Sequence, residues 1–161
     1  MTRPLILVAV LLGLTACNPD RSTDAGEAAT VQATDAICRP TPVGRQTTGC
    51  YLTLTATGED RLVSVASPAA NIVQIHESRM ESNMMMMREL REGLALPAGQ
   101  AVALEPGGNH LMLMGVKEPL TVGDTVVLTL TFAGSAPLEV TATVGQPAAS
   151  EYDQAAPAVG H

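Results

Sequence analysis

Seven of the eight methionines and two of the three histidines of this 161-residue chain fall between His76 and Met114. Two stretches hold most of them, NMMMMR at residues 83–88 and HLMLM at residues 110–114. Methionine specifies a tight core poorly, because its flexible thioether fits many shapes. Its sulfur is a soft ligand, and with imidazole it suits Cu(I) better than zinc, magnesium or calcium. A thioether carries no charge and no proton, so such a site holds a monovalent ion without an anionic trap. If HLMLM is a strand, alternation points His110, Met112 and Met114 the same way. The same rule pairs Met85 with Met87, and Met84 with Met86. The alternative is a methionine-rich core edge with His110 hydrogen-bonded at the surface. The His-x-Met pair, with a second histidine ahead of another methionine cluster, tilts the balance towards metal.

The elements that would position these residues are strands. YLTLTAT (51–57), RLVSVAS (61–67), IVQIHE (72–77), AVALE (101–105), HLMLM (110–114), VVLTLTF (126–132) and LEVTATV (138–144) alternate or are rich in β-branched residues. The turn signals TGED, SPAAN, LPAGQ, EPGGN and GSAP separate them. No window carries a helical period of useful length. The spacing predicts an all-β Greek-key sandwich or barrel, in a single domain over residues 31–145. With no tryptophan and one phenylalanine, Phe132, its core must be aliphatic.

The first residues address the chain to a membrane. Arg3 precedes an apolar run from Leu5 to Leu14, too short for a permanent span, and it reads as a secretory signal over residues 1–16. LTAC (14–17) resembles a bacterial lipobox, with Cys17 as the lipidated first residue of the mature protein. Asn18 in place of aspartate favours the outer membrane. Residues 17–30 then read as the lipidated cysteine and a flexible tether, and residues 146–161 as a disordered tail. Contact with a membrane is expected only through the anchor, in the periplasm.

Export permits disulfides. With Cys17 lipidated, Cys38 and Cys50 pair without remainder, closing RPTPVGRQTTG for about 3 kcal/mol on the chain-entropy estimate. Two reduced thiols or extra soft ligands are the alternatives. The net charge is −7, and loss of Arg3 with the signal makes it −8. An acidic surface with one lysine, Lys117, repels nucleic acid.

HESRMESNMMMMR, followed by GLALPAGQAVALEPGGNHLMLMGVKEPLTVGDTVVLTLTF, resembles the PCu(A)C-type periplasmic copper chaperones over residues 31–144. That family's metal pattern is histidine, ten residues, methionine, about twenty-one residues, then histidine-x-methionine. Here ten residues separate His76 from Met87, which directly precedes Arg88, and twenty-two separate Met87 from His110. The extra residue fits the turn in RELREGL, and it leaves Met86 as the alternative sulfur donor. The resemblance implies a cupredoxin-like fold, Cu(I) bound by His76, Met87, His110 and Met112, and delivery to cuproenzymes. Its implied partner is a copper-accepting protein, such as the copper centre of cytochrome oxidase or another chaperone. Met80, Met84, Met85, Met86 and Met114 would form a sulfur-rich rim or simply cover the site. His161 is a further candidate ligand.

A copper-storing lipoprotein that never delivers its metal competes with this reading. A blue-copper electron carrier needs a thiolate beside its histidines, and no cysteine lies near His76 or His110 in the sequence. No nucleophile elbow, acid-partnered histidine or cofactor loop points to an enzyme.

Overall fold

The computed structural model describes residues 29–148, and within them every regular element is a strand. The signal, Cys17, the tether before residue 29 and His161 lie outside the described residues. The ten strands are β1 (Val31–Cys38), β2 (Thr47–Ala56), β3 (Asp60–Ala66), β4 (Ala70–Glu81), β5 (Met84–Glu89), β6 (Leu94–Leu96), β7 (Ala101–Leu104), β8 (Asn109–Val116), β9 (Thr125–Phe132) and β10 (Leu138–Val144).

Hydrogen bonds join them in the order β5-β4-β8-β2-β1-β10-β9-β3-β6, with β7 on the second half of β2. Neighbours are antiparallel except β1 and β10. Strict alternation dictates the layering: in β9, Val126, Leu128, Leu130 and Phe132 are buried while the threonines between them are not. Leu52 and Leu54 of β2, Leu111 and Leu113 of β8, and Leu62 of β3 join them in one aliphatic core. The architecture is an all-β, cupredoxin-like Greek-key sandwich.

The seven expected strands are present, and the structure adds β1, β5 and β6. In β1 the pairing with β2 shifts between Thr34 and Ile37, where Asp35 has φ 56°, so its alternation is broken. β6 has three residues, too few to show a period. β4 runs on four residues past the expected Glu77, into a hairpin with β5.

Cys38 and Cys50 are directly opposed on β1 and β2, fully buried and joined by a disulfide. It closes the loop that runs from Arg39 to the start of β2. RELREGL contains a turn in which Gly93 N–H donates to the Leu90 carbonyl at 2.9 Å. Gly93 has φ +80°, and a Cβ there would collide with the Leu62 carbonyl, so only glycine fits.

Candidate metal centre

Register decides which side chains meet. β4 and β8 pair so that His76 lies opposite His110, Gln74 opposite Met112 and Ile75 opposite Leu111. Ile75 and Leu111 face the core, so His76, His110, Gln74 and Met112 share the outer face of that sheet. In the β4–β5 hairpin, Ser78 lies opposite Met87 and Met80 opposite Met85, on the same outer face. Arg79–Met86 and Glu81–Met84 pair on the other face, together with Glu77–Arg88.

The loop after β1 and the turn before β8 flank this outer face and form with it an open cavity of about 400 Å³. Met85, Met87, His110 and Met112 line it, with Ser78, Tyr51 and Arg39. His76 stands beside the cavity rather than in its wall, with its ring centroid 5.6 Å from that of His110 and the planes at 73°. Two imidazoles at that separation can share one ion, given a metal–nitrogen bond of about 2 Å.

The hydrogen bonds of the two rings assign their nitrogens. His76 Nε2–H donates to Gln74 Oε1 at 2.9 Å, and His76 Nδ1 is buried with no partner. A buried, unsatisfied lone pair is costly, and a bound cation would satisfy it. His110 Nδ1–H donates to the Gly108 carbonyl at 3.1 Å, which leaves the Nε2 lone pair for a ligand. Burial holds the His110 imidazole below its ordinary value; the Gly108 bond opposes this, and nearby His76 adds to the lowering. His110 is 5% exposed and Met87 52%, so the site has a buried nitrogen and a sulfur open to solvent.

The remaining methionines separate by position. Met85 belongs to the cavity wall, and Met80 is its cross-strand partner. Met114 shares the outer face but lies past Met112, opposite Ile72. Met84 and Met86 lie on the far face, exposed.

Several residues at the site carried no sequence signal. Tyr51 packs near His110, centroids 6.5 Å apart, and Arg39 sits 5.6 Å over its ring. Gly49, opposite Met112, leaves room for the Tyr51 side chain: a Cβ there would come 2.8 Å from the Tyr51 hydroxyl. Gln74 and Ser78 become visible only once β4 is paired on both sides. A spacing pattern can find ligands, but not the residues that orient them.

The cupredoxin-like sandwich is also the fold of solved PCuAC domains. The apo PCuAC domain from PmoF1 matches the fold with a TM-score of 0.62 at 22% identity, over 75% of this chain and 98% of that one. DR1885 from Deinococcus radiodurans matches in its apo form with a TM-score of 0.56 at 28% identity, over 92% of this chain and 97% of that one. Its Cu(I) form gives a TM-score of 0.53 at 32% identity, over 77% and 82%. Residues 31–144 match the family described as "Putative lipoprotein LpqE-like". A relative from Leifsonia xyli subsp. xyli, "Putative lipoprotein Lxx21020", is 33% identical over 137 residues, 83% of this chain and 82% of that one. The chain belongs to the LpqE-like family.

Proposed function

We propose that this protein binds Cu(I) outside the cytoplasm through His76, Met87, His110 and Met112, and passes it to a copper-dependent enzyme or to another copper carrier. The observation that carries the reading is the pairing of His76 with His110 beside two thioethers, with the His76 Nδ1 lone pair buried and unmatched. A neutral N2S2 set stabilises a soft, monovalent ion. The half-exposed Met87 gives an acceptor a way to reach that ion, which favours delivery over storage. Cytochrome oxidase is the acceptor implied by the sequence resemblance, and DR1885 supports the metal, since that relative was solved with Cu(I). Neither role requires catalysis.

The same reading holds the protein at a membrane by a lipid on Cys17, with the outer membrane favoured by Asn18. LTAC and the lipoprotein names of the family and its relative support it. Cys17→Ser should abolish labelling by a radioactive fatty acid, and unchanged labelling would reject the anchor.

Anaerobic titration against a chromophoric Cu(I) chelator tests the site. One equivalent should bind tightly enough to compete with the chelator, colourless because the d shell is filled, and His76→Ala plus His110→Ala should abolish that competition. Mixing the Cu(I) form with an apo cuproenzyme domain should then load that domain; retention of the metal would favour storage. An intense blue band in the copper form would point instead to a thiolate site.

A further inference from the structure

The β4–β5 hairpin carries more sulfur than one site needs, and its register sorts that sulfur. Met80 and Met85 are directly opposed, and Met87 follows Met85 by two residues on the same face. The turn between the strands is Ser82–Asn83, both with positive φ (49° and 63°). Such two-residue turns match strand twist, and the pairing here stays regular up to Glu81–Met84. Side chains directly opposed on an antiparallel pair have Cβ atoms roughly 4.5–5.5 Å apart. Two flexible thioethers at that spacing can close on one soft ion.

Beyond Glu89, which lies opposite His76 on the site face, the hairpin's charges are sorted as well. Glu77, Arg79, Glu81 and Arg88 all project on the opposite face, where Arg79 pairs with Glu81 and Arg88 with Glu77. From Ser78 to the hairpin end, the site face therefore carries neutral side chains, three of them methionines. That composition has little to offer a hard divalent cation and suits a soft monovalent one. The three methionines are 39–52% exposed, and Met85 and Met87 also line the cavity shared by His110 and Met112.

We propose that Met80 and Met85 form a second, outer Cu(I) site, one step beyond Met87, through which the ion enters and leaves the inner centre. Its direction of traffic rests on the inner site being a Cu(I) site; its capacity to bind does not. Two thioethers hold the ion more weakly than two thioethers with two imidazoles, as a transfer position requires. The ion moves between the sites as Cu(I), with no change of charge and no proton released.

The test is an anaerobic Cu(I) titration of the full chain carrying 13C at its methionine ε-methyls, followed by NMR. The first equivalent should shift Met87 and Met112, and the second should shift Met80 and Met85. The double variant M80L/M85L should lose the second step, keep the first, and load an apo acceptor domain at least threefold more slowly. In H76A/H110A the Met80 and Met85 methyls should still respond. A first equivalent that leaves Met87 and Met112 unmoved while Met80 and Met85 respond would sink the inner centre and leave the outer one standing. Methyls of Met80 and Met85 that stay silent up to three equivalents would overturn the outer site and make the strip an apolar surface only. So would their moving in step with Met87 during the first equivalent, which would make all three sulfurs one centre.

Discussion

His76 and His110 occupy directly paired positions on β4 and β8, yet their neighbours engage different ring nitrogens. Gln74 takes the Nε2–H of His76, and the Gly108 carbonyl takes the Nδ1–H of His110. The lone pairs left for a metal are thus Nδ1 on one ring and Nε2 on the other. Partners that fix a ligand's tautomer are typically worth 10–100-fold in metal affinity. Gln74→Leu removes the acceptor while leaving the four proposed ligands in place. Cu(I) affinity should fall about tenfold, about 1.4 kcal/mol, and 15N spectra of His76 should show mixed tautomers. Unchanged affinity with an unchanged tautomer would mean that packing alone orients the ring.

The lowered His110 value gives the metal-free protein a pH dependence of definite sign. The unfolded chain takes up a proton at the ordinary histidine value, while the folded chain does so at lower pH. Between the two values the unfolded state binds more protons, so stability is complete above the ordinary value and falls as pH drops below it. Urea unfolding of the metal-free chain across this window should show that loss, and His110→Gln should flatten it. A stability that rises on acidification through the same window would contradict the assignment.

The Cys38–Cys50 disulfide closes a loop that lines one side of the cavity. The two cysteines are 12 residues apart, and Arg39, Pro40 and Pro42 of the loop between them line the cavity. Closing a loop of that size stabilises by about 3 kcal/mol in the chain-entropy model. The double substitution of both cysteines by alanine should lower unfolding free energy by about that amount, read by denaturant titration. It should also weaken Cu(I) binding, because Arg39 would no longer be held over Tyr51. Loss of stability with Cu(I) affinity intact would confine the disulfide to a structural role.

The sandwich was legible because its inner strands alternate strictly. VVLTLTF reads as a half-buried strand without any neighbour, and β9 has that pattern of burial. β1 was not legible: VQATDAIC is interrupted by Asp35 at positive φ, a feature of backbone geometry with no periodic trace. At the site, alternation alone placed His110 beside Met112 and Met85 beside Met87. It could not say which methionine pair of the hairpin faces His76, because every residue of β5 is exposed and hydrophobicity marks neither face. Only cross-strand register carries that information.

That register separates Met87 from Met86, its neighbour in the run of four. Met87 lies opposite Ser78 on the face of His76, and Met86 lies opposite Arg79 on the reverse. Arg88 reinforces the choice from the far side, since its Nε–H donates to Glu77 at 2.8 Å across directly paired positions. An exposed pair of this kind contributes at most about 1 kcal/mol. A slip of one residue would nonetheless move Met86 onto the site face and Met87 off it. Leucine keeps the volume of methionine and removes the sulfur, so it tests ligation with little packing cost. Met87→Leu should weaken Cu(I) binding at least tenfold, whereas Met86→Leu should leave affinity within about twofold, both read by chelator competition. Met84→Leu, on the same far face, should behave like Met86→Leu. Equal losses at Met86 and Met87 would mean that the hairpin exchanges between two registers in solution, and that either sulfur can reach the paired histidines.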